Sequence, residues 1–254
     1  MEIYPPMTIL LKTWQGPKGQ SLARNRLESA EKMLSSIKRH LKYPNYSWHI
    51  ADDGSESWYQ DEIHDLFKGE NYTFTDTKAD GDIGLNINTG MRVVLKRTDY
   101  ILHWSDDIVL KQELDIKSCV TLLHDYDDIG IVYLRNAHRT LNTHCIERDG
   151  IVWYIIESSS PGPFLCITSL ILMHRRAWNY YGPYPEGLRI DTMQEEMSWR
   201  YKNFENGPAI AIRADHWDGT MPSCIGKSTW DWRLTDDKER KSWHRYRSYG
   251  ARED

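Results

Sequence analysis

A strand-forming segment ends in an acidic turn in the sequence Tyr46-Ser47-Trp48-His49-Ile50-Ala51-Asp52-Asp53-Gly54-Ser55. Tyr46 to Ala51 is predicted to be a strand, because aromatic and β-branched residues favour strands and the turn formers Asp, Gly and Ser end it. Amphipathic helices are predicted on both sides of this segment. Strand and helix therefore alternate, which favours a parallel sheet covered by helices.

The same alternation extends in both directions along the chain. The helix before the segment has one apolar face, formed at spacings of three and four by Leu27, Ala30, Leu34, Ile37 and Leu41. Further strands are predicted at Met7 to Lys12, Tyr72 to Thr75, Tyr100 to Trp104 and Ile129 to Leu134. We therefore expect the α/β class, with an open, mostly parallel sheet and helices on both faces.

The second half of the chain changes character but continues without a linker. Strands are predicted around Ile151 to Ile156, Phe164 to Met173 and Ala209 to Ile212, and helices at Arg175 to Tyr181 and Asp191 to Lys202. No repeat or low-complexity segment divides the sequence. We expect a single domain over residues 1–254, with halves at 7–135 and 136–230 and a basic aromatic tail at 231–254.

Composition excludes several classes of protein. The 254 residues are 40% hydrophobic and carry 32 Lys+Arg against 37 Asp+Glu, a formal net charge of −5, so the chain is neither disordered nor strongly basic. The longest nearly apolar stretch, Phe164 to Met173, is about half of the roughly 20 residues that a transmembrane helix needs. Without a transmembrane segment or a signal peptide, we expect a cytoplasmic protein, with peripheral contact to a membrane through the basic tail left open.

Three polar clusters directly follow predicted strands. They are Thr13-Trp14, Asp52-Asp53-Gly54-Ser55 and Ser105-Asp106-Asp107. Ligands of open α/β sheets bind beyond the carboxyl ends of strands. One acidic pair there can accept hydrogen bonds from a base and a ribose, and another can hold Mg²⁺ or Mn²⁺ on a diphosphate. Each cluster taken singly also fits an ordinary capped turn.

These elements together resemble the inverting, nucleotide-sugar-dependent glycosyltransferases of GT-A fold, family 2. The resemblance covers residues 7–135 and continues more weakly to about residue 217. It rests on Thr8 to Trp14, on Ala51-Asp52-Asp53-Gly54-Ser55, on Gly84…Asn88-x-Gly90, and on Tyr100 to Ile108 in the position of the family's acidic metal motif.

The resemblance implies a binding role for each matching residue. The nucleotide sugar, a UDP-sugar in the first instance, would contact Thr13, Trp14, Asp52, Asp53, Asn88, Ser105 and Asp106. Mn²⁺ or Mg²⁺ would bind Asp107, Asp106 and His216, although Ser105 stands where the family often has an acid. Residues 7–135 would be the nucleotide-sugar-binding half and residues 136–230 the acceptor-binding half.

The catalytic base that the resemblance implies is a carboxylate at the start of a late helix. Glu195 is the first candidate, Glu196 the second and Asp191 the third, because an ungapped alignment on Arg200 puts Gln194 at the expected position. A base must reach the acceptor hydroxyl on the face opposite the leaving diphosphate. The same acids also suit the solvated first turns of a helix.

The function that we predict is metal-assisted transfer of a sugar to a hydroxyl acceptor, a glycan in the first instance, by single displacement with inversion. Three alternatives stay open: a catalytically inactive carbohydrate-binding protein of the same fold, a glycosyltransferase acting on modified nucleic acid bases, and a nucleotidyltransferase. Nucleic acid is not the favoured partner at this net charge.

Overall fold

The computed structural model describes residues 4–16, 20–134, 141–160, 170–204, 206–214 and 223–224. Its strands are β1 (Met7–Thr13), β2 (Tyr46–Asp52), β3 (Tyr72–Asp76), β4 (Tyr100–Ser105), β5 (Ile108–Val109), β6 (Ile129–Tyr133), β7 (Thr143–Arg148), β8 (Ile151–Ile156), β9 (Ile171–His174), β10 (Ala209–Arg213) and β11 (Ser223–Cys224). Its helices are α1 (Gln20–His40), α2 (Ser57–Leu66), α3 (Ile83–Val94), α4 (Ile116–Asp125), α5 (Arg175–Tyr181) and α6 (Ile190–Asn203).

Nine of the described strands form one open sheet in the order β3-β2-β1-β4-β9-β6-β10-β8-β7. The pairs among β3, β2, β1 and β4 are all parallel. Every residue of β1 is buried, which is typical of a parallel strand covered by helices on both faces. The predicted α/β fold class, with an open and mostly parallel sheet, is confirmed.

Antiparallel pairing begins at β9, which lies between β4 and β6 and runs against both. Beyond it, β10 is parallel to β6, and β8 and β7 form an antiparallel hairpin. We did not predict β7, because Thr143–Arg148 is half-exposed and polar at the sheet edge. The sheet joins strands from residues 7–135 and 136–230, while the functional division into those halves stays a prediction.

Helices cover both faces of the sheet, as expected. One core joins the sheet to α1, α2 and α4. Four of the apolar positions predicted for the first helix lie in this core, and the fifth, Leu27, packs against it: the four are Ala30, Leu34, Ile37 and Leu41. The opposite core joins the sheet to α3, α5 and α6. Each fully buried Leu or Ile contributes about 1.5–3 kcal/mol, so these two faces provide the main driving force for folding.

The direction of the strands gathers their polar ends at one edge. Because β9 opposes both β4 and β6, the strands β1, β2, β4, β6 and β10 all run the same way. Thr13 is in register with Asp52, and Lys12 with Ser105. The ends of β1, β2 and β4 are therefore neighbours, and we call this the carboxyl edge.

No helix within the described part of the chain is long and apolar enough to cross a membrane. The cytoplasmic location stays a prediction. The basic aromatic tail at 231–254 lies outside the described residues.

Candidate active site

Asp52, at the end of β2, is the centre of a closed hydrogen-bond network. Its buried carboxylate accepts from Thr13 Oγ1 at 2.9 Å, from Ser55 N at 2.8 Å, from Ser55 Oγ at 2.8 Å and from Gln60 Nε2 at 3.1 Å. An ionised carboxylate offers about four lone-pair sites. These four donors occupy all of the sites, so Asp52 holds the turn between β2 and α2 in place. The Thr13 hydroxyl, as one of the four donors, ties the end of β1 to the same turn.

Asp53 follows directly but keeps unused acceptor capacity. Its carboxylate accepts from Gly81 N at 3.2 and 3.1 Å, and its own N–H donates to Thr13 O at 3.0 Å. Burial raises the pKa of Asp53 to about 7, the Gly81 N–H opposes that shift, and three nearby acids add to it: Asp52, Asp80 and Asp82. Asp53 is therefore the member of this pair that is suited to receive a ligand's hydroxyls.

Asp106, in the turn after β4, is held by a residue from α1. The Arg26 guanidinium donates to it through Nη2 at 2.7 and 2.9 Å and through Nε at 3.2 Å. Only 1% of the Asp106 side chain and 20% of the Arg26 side chain are exposed. Burial raises the pKa of Asp106 to about 6 against the opposing charge of Arg26. Burial lowers the pKa of Arg26, but the Asp106 charge raises it above its ordinary value, so the two form a buried ion pair.

Asp107 is the available carboxylate of the second acidic pair. It is half-buried, and none of the described residues donates a hydrogen bond to its carboxylate. Nor do the described His, Cys, Asp and Glu side chains form any group of three that could hold a metal by themselves. Mg²⁺ characteristically takes one or two carboxylates plus substrate phosphates. A single carboxylate that accepts no hydrogen bond from the described residues fits that donor set.

Asn88 joins α3 to the loop that leads into α6. Its Oδ1 accepts from Tyr184 N at 2.9 Å, and its Nδ2 donates to Tyr184 O at 2.8 Å and to Glu186 Oε1 at 2.7 Å. At the start of α3, a Cβ on Gly84 would come within 2.2 Å of Pro185 O. Gly84 and Asn88 thus let this loop lie directly against α3, and the structure ties the Asn88 amide to protein partners.

The loop after β1 is joined to the turn after β2. Trp14 is half-buried there, and its neighbour Gln15 donates from N to Ser55 Oγ at 3.0 Å and accepts from Glu56 N at 2.9 Å. The first two polar clusters predicted from the sequence therefore form one bonded unit. The third, at Asp106, is joined to α1.

The candidate bases on α6 occupy different environments. Met193 and Met197 form the buried stripe of the helix, and Glu195 lies exposed on the opposite side. Glu196 accepts from Arg200 Nε at 3.1 Å. Asp191 belongs to the first turn of α6, with its side chain outside the described residues, as is the whole of His216.

Sequence reasoning missed Arg26, Gln15 and Glu186. The position of Arg26 could have been noticed in the sequence, because this charged residue lies three residues after Ala23 and four before Ala30, on the apolar face of α1. A charge within such a face needs a buried partner. Gln15 and Glu186 act through loops whose neighbours are distant in sequence, so no local pattern indicates them.

Comparisons with known proteins place the fold. No family model matches the chain, and a search of curated proteins found no match. Solved structures do match. S. aureus TarS 1-349 superposes with a TM-score of 0.60 at 10% identity, covering 83% of this chain and 58% of that one, and its complex with UDP gives 0.58 at 11% identity with the same coverage.

A second structural neighbour is the mannosyltransferase PcManGT from Pyrobaculum calidifontis in complex with GDP-Man and Mn²⁺. Its TM-score is 0.55 at 13% identity, over 91% of this chain and 61% of that one. The chain thus spans about three fifths of the length of these neighbours. The sheet, its carboxyl edge and these superpositions show that the chain has the GT-A-like α/β fold found in glycosyltransferases.

Proposed function

We propose that this protein is a glycosyltransferase, which moves a sugar from a nucleotide diphosphate sugar to a hydroxyl of a glycan acceptor. The observation that carries the proposal is that, in both acidic pairs at the carboxyl edge, protein donors occupy the carboxylate of only one acid. Asp52 and Asp106 are closed off by protein partners, while Asp53 and Asp107 keep acceptor capacity. The neighbours that bind UDP or GDP-Man support the same reading.

The donor is proposed to lie across the ends of β1, β2 and β4, within residues 7–135. Asp53 would accept hydrogen bonds from the nucleoside, beside the half-buried Trp14. Asp107, with the Ser105 hydroxyl, would hold Mn²⁺ or Mg²⁺, and the bound ion would neutralise charge on the diphosphate leaving group. The Mn²⁺ in the mannosyltransferase complex supports a divalent ion.

Transfer is proposed to proceed by single displacement with inversion. The acceptor oxygen bonds to the anomeric carbon as the bond to the diphosphate breaks, and a carboxylate takes the hydroxyl proton. Glu195 stays the first candidate, since no described residue occupies its carboxylate, whereas Arg200 engages Glu196. Glu195→Gln, Glu196→Gln and Asp191→Asn should separate the three candidates by kcat, and the base variant should keep donor affinity.

The proposal is tested by measuring the binding of UDP-, GDP-, CDP- and dTDP-sugars, each with and without Mn²⁺. The readout is the shift of the thermal unfolding transition. At a ligand concentration 100-fold above Kd, a true donor stabilises the wild type by about 2.7 kcal/mol. Asp107→Asn should abolish the part of the shift that depends on metal. Asp61→Asn, which removes an exposed acid on α2, should leave it intact.

Each outcome has a distinct meaning. Metal-dependent binding with release of nucleotide diphosphate supports a transferase, and NMR of the product tests inversion. Binding without turnover, across a panel of glycan acceptors, would instead favour a carbohydrate-binding protein of this fold. A folded wild type that no nucleotide sugar stabilises would contradict the proposal.

A further inference from the structure

Three exposed aromatic rings are in contact at the end of α6. Trp199 is 55% exposed, Phe204 is 38% exposed, and Tyr180, from α5, is 37% exposed. The centroids of the Trp199 and Phe204 rings lie 6.2 Å apart, as do those of Phe204 and Tyr180. Single exposed hydrophobic residues need no explanation, whereas rings in contact form one surface that a ligand can cover. We call these three residues the aromatic patch.

The neighbouring rings hold the Trp199 indole without enclosing it. The planes of Trp199 and Phe204 lie at 78°, and in such a contact the edge of one ring meets the face of the other. Phe204 therefore covers at most one face of the indole. Phe204 itself stacks on the buried Tyr181, with 24° between the ring planes. An indole that is already ordered loses little conformational freedom when a ligand binds to its open face.

Polar side chains surround the aromatic patch. Asn203 and Asn206 are exposed on either side of Phe204 in sequence. The Asn203 Nδ2 donates to Trp199 O at 2.8 Å, and no described residue donates to its Oδ1. Side-chain amides both donate and accept hydrogen bonds. The nearest exposed or half-buried charged side chains on the same helix side, Glu195 and Lys202, are of opposite sign, so they do not select an ionic ligand.

This combination of groups suits a neutral sugar. The C–H bonds on one side of a pyranose ring carry partial positive charge and pack on the negative face of an aromatic ring. The hydroxyls at the rim of the same sugar both donate and accept, as the two amides do. A ligand with an apolar face and a polar rim therefore matches the indole and its neighbours better than a purely apolar or a charged ligand does.

The area of the patch distinguishes a sugar from a protein partner. Aromatic side chains have about 150–250 Å² of surface each, so the exposed fractions amount to about 200–300 Å² in all. A stable protein interface buries about 800 Å² on each partner, which is several times as much. Sugar rings are similar in size to aromatic rings, so one or two of them can cover the patch.

The patch is remote from the proposed donor site. The loop before α6 lies near the Asp53 turn, because Gly187 N donates to the Asp82 carboxylate and Gly81 N donates to Asp53. α6 then leads away from the carboxyl edge, since β10 follows it and runs back towards that edge. Trp199 is the tenth residue of α6, about 14 Å along the helix from the first. Binding at the patch therefore needs neither donor nor metal.

We propose that the aromatic patch is a non-catalytic binding surface for a neutral glycan, in which a sugar ring stacks on Trp199 and hydrogen-bonds to the amide of Asn203. This surface goes beyond the proposed glycosyl transfer, because it holds a glycan without reacting with it. In a glycosyltransferase, holding one part of a long glycan at the patch raises the effective concentration of its other units at the carboxyl edge.

The test is a titration of the full chain with oligosaccharides, in the absence of nucleotide and metal. The indole N–H signals of the eleven tryptophans are followed in nitrogen-15 NMR spectra, and Trp199→Phe identifies the Trp199 signal. The probes are cellotetraose, chitotetraose, mannotetraose and maltotetraose. Sorbitol, which has hydroxyls but no ring, is the negative control.

We expect at least one tetrasaccharide to shift the Trp199 signal. Trp199→Ala should weaken binding of that sugar about fivefold or more, because the stacking contact is lost, and Trp199→Phe should weaken it less. The matched control is Val152→Ala, which removes apolar surface that is 42% exposed on β8 and should leave the affinity unchanged. Asn203→Ala, which removes the amide but no ring, should also weaken binding and serves if Trp199→Ala does not fold.

Three results would overturn this surface: no tetrasaccharide moves the Trp199 signal, sorbitol moves it as much, or Trp199→Ala binds the sugar like the wild type. Sedimentation of the sugar-free protein tests a second copy of the chain as the occupant. A dimeric wild type and a monomeric Trp199→Ala would assign the patch to that copy and contradict the glycan surface. Binding of nucleotide sugars at the carboxyl edge is measured separately, so the proposed function and the glycan surface can fail independently.

Discussion

The turns at Asp52-Asp53 and Asp106-Asp107 are alike in sequence but are held in place differently. The carboxylate of Asp52 is locked by uncharged donors, two of them from Ser55 in its own turn. The carboxylate of Asp106 is locked by the charge of Arg26, eighty residues earlier in the chain. In each pair the carboxylate of the first acid is occupied by protein donors, and the carboxylate of the second keeps unused acceptor sites.

The difference shows two ways of presenting an acid at a strand end. Local hydrogen bonds need few distant partners, so the Asp52 turn is readable in the sequence. A buried ion pair such as Arg26–Asp106 repays its desolvation only when the tertiary structure aligns both charges. Four substitutions test this difference between the two turns, and their expected effects on stability decrease from Arg26→Ala to Asp107→Asn.

Arg26→Ala should have the largest effect. It leaves the Asp106 carboxylate buried without its partner, which costs roughly 3–5 kcal/mol of stability. Urea unfolding measures this loss. The double variant Arg26→Met/Asp106→Leu removes both charges and should recover much of it, so a double variant as unstable as Arg26→Ala would show that the ion pair is not the cause.

Asp53→Asn should act in the opposite direction. The native pKa of about 7 lies above the ordinary value of 3.8, so the native state holds this proton more tightly than the unfolded chain does. Stability from this group is therefore greatest below about pH 4 and falls by at most about 4 kcal/mol as pH rises to 7. Asp53→Asn should reduce this dependence of stability on pH between pH 4 and pH 7. It should also raise the melting temperature at pH 8 and weaken nucleotide binding. A slope unchanged in the variant would assign the pH dependence to other groups.

Asp52→Ala should destabilise the protein by about 2–3 kcal/mol. The Ser55 N–H and the Thr13 hydroxyl both donate to the carboxylate, so the substitution leaves these two buried donors without their acceptor. Denaturant unfolding above pH 7, compared with Asp53→Asn, tests the contrast within one pair. If both variants changed the free energy of unfolding in the same direction, the assignment of separate roles to Asp52 and Asp53 would be wrong.

Asp107→Asn should change stability least, by about 0.5 kcal/mol or less, because no described residue hydrogen-bonds to this carboxylate. Its effect should fall on metal-dependent nucleotide-sugar binding instead. Calorimetry with Mn²⁺ and thermal unfolding on the same sample separate the two quantities. A large loss of stability would mean that Asp107, like Asp106, is structural.

Most of the architecture could be predicted from periodicity and turn formers. The apolar spacing of α1, the strands before Thr13, Asp52 and Ser105, and the position of α6 all agree with the structure. Periodicity did not indicate the edge strand β7, whose residues are largely polar and half-exposed, because an edge strand buries too little surface to require an apolar pattern.

The alternation of strands and helices and the position of three polar clusters at strand ends could both be predicted from the amino-acid sequence alone. Both follow from local hydrophobic spacing and turn chemistry. Which acid of each pair keeps unused acceptor sites depends on the tertiary structure, because donors such as Thr13 and Arg26 are distant in sequence from the carboxylates that they occupy.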